Sequence, residues 1–489
     1  MATLSNATLS QVDSKVATPK YDRSQLKTGI VHFGVGGFHR AHEAMTLDNL
    51  FNDGISTDWA ICGVGLLPND LKMKQVFDEQ DCLYTLTLKH PDGRREARVI
   101  GSIIEYIFGP ENPEALIEKL ANPDTRIVSL TITEGGYNFD RVTGEFDASN
   151  PAVAADLADG SVPTTVFGYI FAGLKLRRER GIAPFTVMSC DNIQGNGDIA
   201  KKMFTAFASL KDSAFGDWMT ANVAFPNSMV DRITPVTAPE DIAEAQANTG
   251  LSEGWPVVAE PFFQWVIEDH FPLGRPAFEK AGVQMVEDVM PYELMKLRLL
   301  NASHQGLTYF GYLSGYRYAH EATNDPAISG FLLRYMNEEA TPTLLPVPGI
   351  DLTAYKHQLI ERFSNPEVKD TLARLCAESS DRIPKWLVPV VHDQIAKGGQ
   401  VELSAAIVAS WARYAEGVDE LGEAINVVDP LKDELIPIAK SQRENPLAFI
   451  QNEKLFGDLA KNESFRTAYL EALNSLFENG AHKTVQALA

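Results

Sequence analysis

The segment Pro291–Tyr316 (PYELMKLRLLNASHQGLTYFGYLSGY) constrains the fold of this chain more than any other stretch. It predicts a helix that is apolar nearly all round, and such a helix is normally buried. Five polar side chains nevertheless interrupt it: Lys296, Asn301, Ser303, His304 and Gln305. Because a buried lysine needs a counter-charge or a lowered pKa, and buried amides need hydrogen-bond partners, the segment requires either a polar network or a bound ligand.

Helical spacing places three of these side chains on one side of the segment. At roughly 100° per residue, Asn301 and His304 lie about 140° and 80° around the axis from Lys296, within about 12 Å along it. One small ligand is therefore able to touch all three. A partly desolvated lysine can act as a general base, and an asparagine amide can donate to an oxygen that gains negative charge. The alternative is structural: a lysine that extends to solvent, with Asn301 and His304 hydrogen-bonded inside a helix bundle.

The overall composition predicts a soluble globular protein of two or three domains. The chain has 489 residues, of which 45% are hydrophobic and 22% charged. Its formal net charge of −22 leaves no basic face for nucleic acid or anionic lipid. The sequence has no apolar run long enough to cross a bilayer, and its N-terminus lacks the features of a secretory signal. The four scattered cysteines suit reduced thiols, so we expect a cytoplasmic protein without membrane or nucleic-acid partners.

A strand followed by a glycine-rich turn opens the first predicted domain. The apolar run Gly29–Val35 predicts the strand, and a helix is expected from near Arg40. The turn contains Gly34, Gly36, Gly37, Phe38 and His39. It has the first two glycines of the dinucleotide pattern GxGxxG, with His39 where the third is expected. This arrangement predicts a nucleotide-binding turn, although an ordinary glycine turn is an equal alternative on the sequence alone.

A polar pair follows the second predicted strand, Trp59–Leu66. In a dinucleotide fold, an acid at this place accepts hydrogen bonds from the adenine ribose and repels a 2′-phosphate. Asp70, preceded by Asn69, fits that role and favours NAD over NADP. The alternative for Asp70 is an N-cap of the helical stretch that follows it.

Two further predicted strands end in polar residues. The β-branched strand Arg126–Thr133 leads into Glu134 and two glycines, and the strand Pro184–Asn192 ends in an Asp-Asn pair. Ligands of doubly wound sheets lie beyond the carboxyl ends of such strands. Thr133, Glu134 and Asn192 are therefore candidate site residues.

The remaining periodicity sets the domain organisation. Cys82–Lys89 and Ala97–Ile107 predict a hairpin inserted in the α/β framework, and helical periodicity dominates after Pro291. We expect three parts: a polar N-terminal tail over 1–24, an α/β Rossmann-type dinucleotide-binding domain with insertions over 25–285, and a mostly α-helical substrate and catalytic domain over 286–489.

Two local patterns point to other chemistry and are weak. Tyr292 and Lys296 form a YxxxK pair, the acid and base of short-chain dehydrogenases, but in those enzymes the pair lies inside the dinucleotide domain. His39 and His42 have a spacing that suits metal ligands, yet we identify no acidic or cysteine cluster beside them in sequence. We expect both histidines to pack around the glycine turn, and we predict no metal site.

Five motifs together match a known family. They are FGVGGFHRAH (Phe33–His42), TITEGGYN (Thr131–Asn138), SCDN (Ser189–Asn192), FPNSMVDRITP (Phe225–Pro235) and K-x-R-x-x-N-x-x-H (Lys296–His304). With them the chain resembles the polyol-specific long-chain dehydrogenases from about residue 25 over nearly its whole length. The combination is far more specific than any one of the motifs.

The resemblance implies an NAD-dependent, metal-independent interconversion of D-mannitol and D-fructose. It implies that Lys296 is the general base for the C2 hydroxyl, that Asn192 and Asn301 hold the alkoxide, and that His304 binds and orients the substrate. Asp231 and Arg374 are implied as contacts to substrate hydroxyls, Arg374 from a less distinctive stretch. The candidate cofactor-binding residues are Gly34, Gly36, Gly37, Phe38, Asn69, Asp70, Thr133 and Glu134.

Two other functions stay open at this point. The same family includes uronate reductases, whose substrates carry a carboxylate, and the net charge does not separate them from polyol dehydrogenases. A catalytically silent NAD-binding sensor on the same fold is the second alternative, against which the intact set of Lys296, Asn301 and His304 argues. The resemblance also favours a monomer.

Overall fold

A computed structural model describes residues 1–140 and 143–489 of the chain. The chain divides into two compact units, Met1–Met290 and Pro291–Ala489, which we call unit 1 and unit 2. The division falls where the sequence changes from mixed strand and helix patterns to helical periodicity, a few residues beyond the predicted boundary at 285.

Unit 1 contains eleven strands and ten α-helices among its described residues. The strands are β1 (Thr28–Phe33), β2 (Ala60–Gly65), β3 (Tyr84–Lys89), β4 (Arg95–Ile100), β5 (Ile103–Phe108), β6 (Ile127–Leu130), β7 (Thr186–Ser189), β8 (Ser228–Asp231), β9 (Val257–Ala259), β10 (Gln264–Glu268) and β11 (Gln284–Val286). The helices are α1 (Gly37–Ala41), α2 (Glu43–Asn52), α3 (Asp70–Gln80), α4 (Pro113–Ala121), α5 (Thr133–Gly136), α6 (Pro151–Leu157), α7 (Val166–Glu179), α8 (Asn196–Lys211), α9 (Ser213–Asn222) and α10 (Pro239–Thr249).

A five-stranded parallel sheet organises unit 1. Its strand order is β5-β2-β1-β6-β7, and all four pairings are parallel. The strands β1, β2, β6 and β7 are buried along almost their whole length, as in parallel sheets covered by helices on both faces. The order reverses between β1 and β6, and doubly wound sheets bind ligands beyond the strand ends at such a switch point. The predicted Rossmann-type fold is confirmed.

The segment after β2 differs from its prediction. The strands β3 and β4 pair antiparallel, as expected of the hairpin, and β9 extends them into a small second sheet. The strand β5, however, leaves the hairpin and joins the main sheet beside β2. Gly101 and Ser102 make the break, because the Gly101 N–H donates to Asp48 and the Ser102 hydroxyl donates to the carbonyl of Ala44, both on α2. Residue alternation along 97–107 does not reveal this anchor.

Residues 1–24, expected from composition to form a polar tail, run along unit 1. Leu4 and Val16 are buried in a small apolar cluster with Leu83 and Val99. Two apolar side chains in a polar segment are enough to fix it against a surface, because each contributes about 1.5–3 kcal/mol when fully buried. Average composition does not detect such isolated anchors.

Unit 2 is helical, as predicted. Its α-helices are α11 (Met290–Met295), α12 (Ala302–Leu313), α13 (Ala319–Thr323), α14 (Pro326–Arg334), α15 (Leu352–Phe363), α16 (Leu372–Leu375), α17 (Ser379–Trp386), α18 (Val388–Lys397), α19 (Glu402–Tyr414), α20 (Lys432–Lys440), α21 (Glu453–Phe456), α22 (Glu463–Asn479) and α23 (Ala481–Leu488). Two π-helical segments accompany them, Lys296–Asn301 and Tyr335–Ala340. The helix α12 is buried along most of its length and packs against α13, α14, α16, α19 and α23, so it is the central helix of this unit. None of the helices among the described residues combines the length and the apolarity that crossing a bilayer requires.

Candidate functional site

The glycine turn lies at the carboxyl end of β1. Gly34 has φ +92°, and a Cβ at this position would lie 2.1 Å from the carbonyl oxygen of Thr131, so only glycine fits. Gly36 caps α1 with extended backbone and Gly37 begins the helix. At these two positions the nearest atoms to a Cβ would lie 3.9 and 3.5 Å away. The turn is therefore tightly packed at Gly34 and open at the next two glycines, which suits close approach of a dinucleotide.

The segment after β6 is held from beneath by a buried carboxylate. Asp191 accepts the backbone N–H groups of Ile132 and Thr133 at 3.0 and 2.8 Å and the hydroxyl of Tyr137 at 2.7 Å. Thr133 has φ +63°, which costs a β-branched residue about 1–3 kcal/mol. Burial raises the pKa of Asp191 above its ordinary value against the opposing hydrogen bonds. Asp191 thus fixes the backbone around Thr133 and Glu134, a role that the sequence analysis missed.

Asn192 lies on an exposed bend directly after β7. The neighbouring Asn196 is fully buried and donates through Nδ2 to the carbonyl oxygens of Asp191 and Ser228 at 3.0 and 2.8 Å. It ties the bend that carries Asn192 to the start of β8. Asp231 ends β8 and is only 6% exposed. Both candidate residues therefore sit on backbone that is fixed by neighbouring strands.

Asp70 lies just beyond the carboxyl end of β2, where the ribose acid is expected. Its Oδ2 accepts the backbone N–H groups of Leu66 and Leu67 at 2.9 Å each. Asp70 is the first residue of α3, and exposed Asn69 is the N-cap without a side-chain capping bond. The alternative of Asp70 as helix N-cap is therefore wrong. Gly65 permits this arrangement, because a Cβ there would lie 2.5 Å from the Cβ of Asp70.

The polar residues of the long apolar segment lie around a π-helical turn. The α-helix gives way to π-helix over Lys296–Asn301 and resumes at Ala302. Uniform α-helical spacing between Lys296, Asn301 and His304 is therefore wrong, because i→i+5 bonding widens the turn that separates them. π-Helical turns inside α-helices are frequent at functional sites.

Burial distinguishes these three side chains. Lys296 and Asn301 are each 6% exposed. Within the parts of the chain that the structure describes, Oδ1 of Asn301 is buried without a hydrogen-bond partner. His304 is half-buried, and its ring centroid lies 4.2 Å from that of Phe363. An unpartnered buried amide atom costs free energy unless a ligand satisfies it, so Asn301 fits a substrate contact.

Tyr292 has a structural role. Its hydroxyl donates to the carbonyl of Pro348 at 2.8 Å, and burial raises its pKa. These properties do not suit the acid of a YxxxK pair. Glu293, which the sequence analysis did not single out, is a buried carboxylate one turn before Lys296. Its place in the helix meets the expectation that a buried lysine has an acid nearby in the chain.

Arg374 is exposed near the C-terminal end of α16. Its Nε and Nη2 donate to the two carboxylate oxygens of Asp370 at 2.7 and 2.6 Å, and this bidentate pair raises the pKa of the guanidinium. Contact between Arg374 and a substrate hydroxyl stays a prediction. A guanidinium held in this way has three N–H groups that do not take part in the pair.

A buried cluster behind the glycine turn was missed in the sequence. His32, His39 and Glu43 offer ligand atoms that lie within 4.8 Å of one another. No carboxylate or cysteine cluster was expected beside His39 and His42, but Glu43 lies one helical turn after His39 and β1 adds His32. The two imidazole rings stack, with centroids 3.4 Å apart and planes inclined by 15°. Lone pairs in nearly parallel ring planes do not converge on one point, so the cluster does not suit tetrahedral metal ligation.

Comparison with known proteins identifies the family. The model of the mannitol dehydrogenase Rossmann domain matches residues 28–280, and the model of the mannitol dehydrogenase C-terminal domain matches residues 288–477. The chain belongs to the mannitol dehydrogenase family. The resemblance to polyol-specific long-chain dehydrogenases is thereby confirmed.

Members of the mannitol dehydrogenase family match this chain over nearly its full length. Mannitol 2-dehydrogenase of Phaeosphaeria nodorum is 46% identical over 99% of this chain and 85% of that protein. Mannitol dehydrogenase 2 of Saccharomyces cerevisiae is 43% identical over 98% of this chain and 96% of that protein. The structure of Pseudomonas fluorescens mannitol 2-dehydrogenase in a ternary complex with NAD and D-mannitol aligns with a TM-score of 0.87 at 45% identity, covering 99% of each chain. A D-sorbitol dehydrogenase in substrate-free form aligns with a TM-score of 0.93 at 38% identity, covering 99% of this chain and 100% of that one.

Proposed function

We propose that this chain is an NAD-dependent polyol dehydrogenase of the mannitol 2-dehydrogenase type, which interconverts D-mannitol and D-fructose by oxidation and reduction at C2. The proposal rests on the 45% identity of this chain, over 99% of both chains, to an enzyme whose structure holds NAD and D-mannitol. The buried π-helical turn with Lys296 and Asn301 supplies the chemistry that such a reaction needs.

The proposal assigns the cofactor to unit 1. The open glycines Gly36 and Gly37, with Gly34 and Phe38, border the dinucleotide at the end of β1. Asp70 and Asn69 contact the adenine ribose, and Thr133 and Glu134 contact the cofactor beyond β6. Bound NAD takes up the hydride from C2 of the polyol. The carboxylate of Asp70 disfavours a 2′-phosphate, which is the basis for NAD over NADP.

The proposal assigns proton transfer to Lys296. Its neutral amine accepts the C2 hydroxyl proton as a general base in a buried position. The amides of Asn301 and Asn192 donate to the alkoxide oxygen. In Asn301 the amide oxygen and nitrogen have nearly the same shape, so a rotated amide would place its N–H group where the unpartnered Oδ1 lies. His304 orients the substrate, while Asp231 and Arg374 bind its other hydroxyls. Because lysine and the two amides supply base and charge stabilisation, the reaction needs no metal ion.

The proposal also includes the setting of the enzyme. We propose a cytoplasmic monomer that binds a small polyol or ketose and no nucleic acid, in line with the net charge of −22.

Steady-state rates of NADH formation test the proposal. Wild-type protein is expected to oxidise D-mannitol with NAD in a panel of D-mannitol, D-sorbitol, D-arabinitol and a reduced uronate, each with NAD and NADP. Lys296→Ala is expected to lower kcat about 100-fold or more while NADH still binds. Lys356→Ala is the matched control, because Lys356 is also buried in unit 2 and its Nζ lies 3.4 Å from the Thr341 hydroxyl.

Three other outcomes of these rate measurements would contradict parts of the proposed function. Unchanged turnover in Lys296→Ala would refute the general-base role. Turnover of the uronate alone would identify a uronate reductase, and NADH binding without turnover of any substrate would identify a silent sensor.

A further inference from the structure

A chain of buried hydrogen bonds links α2 to the glycine turn through the sheet. Ser129 on β6 lies beside His32 on β1 in the sheet register. His32 contacts the hydroxyl of Ser129 through Nδ1 and the hydroxyl of Thr131 through Nε2, at 2.7 and 2.9 Å. The Ser129 hydroxyl also contacts Glu43, and the Thr131 hydroxyl also contacts the carbonyl of Gly34. The path therefore ends at Gly34, where the carbonyl oxygen of Thr131 leaves no room for a side chain.

The hydroxyl hydrogens set the direction of the hydrogen bonds around His32. Ser129 donates its only hydroxyl hydrogen to the carboxylate of Glu43 at 2.9 Å, because an ionised carboxylate only accepts. Thr131 donates its only hydroxyl hydrogen to the carbonyl of Gly34 at 2.6 Å. Both hydroxyl oxygens are then acceptors toward the ring. Both nitrogens of His32 therefore face acceptors, and Nε2 also lies 3.3 Å from the carbonyl oxygen of Gly34.

Glu43 is the carboxylate that contacts the ring of His32. Its Oε2 lies 3.2 Å from Nδ1 of His32 and 3.2 Å from Nδ1 of His39, with all three side chains buried. Burial alone would raise the pKa of Glu43, but its contacts with the two histidines outweigh burial and hold the pKa below its ordinary value. Burial lowers the pKa of His39 to about 4, so His39 stacks on the ring of His32 as a neutral ring.

Other titratable groups face the pair from neighbouring elements. They are Arg40 on α1, His42 between α1 and α2, and Cys190 and Asp191 after β7. Burial raises the pKa of the Cys190 thiol and lowers the pKa of His42 to about 3, so both are neutral. The carboxylate of Asp191 is occupied by backbone N–H groups. Glu43 is therefore the acid that contacts His32 directly.

We propose that Glu43 and His32 are positioning residues of the dinucleotide turn, a role that rests on the NAD dependence proposed above. His32 holds the Thr131 hydroxyl, and that hydroxyl holds the carbonyl of Gly34. Without the carboxylate of Glu43, the hydroxyl hydrogen of Ser129 can turn to Nδ1 of His32, and the direction of the hydrogen bonds along the path is no longer fixed. Where Nε2 of His32 then accepts the Thr131 hydrogen, the carbonyl of Gly34 loses that bond and its peptide is held less firmly.

NADH affinity, measured by fluorescence titration, tests this role. Glu43→Gln is expected to raise the Kd for NADH about tenfold, as for loss of one charge-assisted hydrogen bond. The KM for NAD rises with it, and kcat at saturating NAD changes less than the Kd. Thr131→Val removes the next group in the path and is expected to have a similar effect. The double variant should match either single variant, because both changes break one chain of bonds.

The matched control is Asp48→Asn on the same helix, α2. Asp48 is as buried as Glu43, but it accepts the N–H of Gly101 at 2.9 Å and the hydroxyl of Tyr21 at 2.5 Å, away from the glycine turn. This variant is expected to lose thermal stability and to keep the wild-type Kd for NADH.

Four results separate the outcomes. A lowered Tm with an unchanged Kd in Glu43→Gln would make the pair merely structural and overturn the proposal, as would fully additive effects in the double variant. If Glu43→Gln does not fold, an unchanged Kd in Thr131→Val overturns it. Failure of the wild-type protein to bind NADH contradicts the proposed NAD dependence itself.

Discussion

At the residue scale, the role of an acidic side chain depends on which of its carboxylate oxygens accept hydrogen bonds from the backbone. In Asp70, one carboxylate oxygen accepts two backbone N–H groups and thereby fixes the orientation of the whole group. Asp191 uses both of its oxygens to hold strained backbone at Thr133. The two acids follow the ends of β2 and β7, which β1 and β6 separate in the sheet. Among the described residues, the carboxylate contacts of Asp70 use one oxygen, whereas those of Asp191 use both and support the loop.

Asp70→Ala tests the ribose role. We expect the ratio of kcat/KM with NAD to that with NADP to fall about tenfold or more, because the carboxylate no longer repels the 2′-phosphate. Asn69→Ala, at the exposed neighbouring position, is the control and is expected to change the ratio less. An unchanged ratio in Asp70→Ala would show that cofactor choice is made elsewhere.

At the scale of elements, the π-helical turn is the feature that distinguishes the central helix from an ordinary buried one. The second π-helical segment, Tyr335–Ala340, packs against the first. Tyr335 is fully buried, and its hydroxyl donates to the carbonyl of Arg298 at 3.2 Å, in the middle of Lys296–Asn301. This bond ties the widened turn to a neighbouring helix and so supports the relative placement of Lys296 and Asn301.

Tyr335→Phe removes that bond with little change in volume. We expect a loss of about 1 kcal/mol of stability, together with a fall in kcat of about tenfold, because the turn that places Lys296 is loosened. Tyr469→Phe is the matched control: it removes the 2.9 Å bond from another fully buried tyrosine of unit 2 to Gln442. This control should lower the stability by a similar amount and leave kcat unchanged. Equal kcat values in the two variants would argue against a role for the bond in catalysis.

At the scale of the whole molecule, each unit contains a buried glutamate with a strongly raised pKa. Burial raises the pKa of Glu253 in unit 1 and of Glu339 in unit 2 to about 7, from a value of 4.5. Between these pH values the folded state binds more protons than the unfolded chain. Stability from each group is therefore fully present below pH 4.5 and is lost as the pH rises through 7.

Glu253→Gln tests this linkage in thermal melts at pH 5 and pH 8. A shift of this size corresponds to roughly 3 kcal/mol per group. The glutamine side chain does not titrate, so the Tm of the variant should increase relative to that of the wild type as the pH rises. Glu114→Gln, which removes an exposed acid from α4, is the control and should leave the pH dependence unchanged. Parallel pH profiles for Glu253→Gln and the wild type would contradict the raised pKa.

The sequence by itself determined the features that depend on local patterns. Alternating or continuous apolar runs marked the parallel strands, the glycines marked the turn after β1, and helical periodicity marked unit 2. Motifs such as Phe33–His42 and Lys296–His304 determined the family, because each carries residue types that a fold alone does not require. These signals are local, so a single chain reveals them.

The tertiary structure decided what depends on contacts between distant residues. It placed β5 in the main sheet, gave Lys296–Asn301 its π-helical bonding, and brought His32, Ser129 and Glu43 together behind the turn. Sheet register joins residues that lie far apart in sequence, and a widened helical turn depends on the packing around it. Neither leaves a periodic pattern, which is why the residue types of the site were predictable and their arrangement was not.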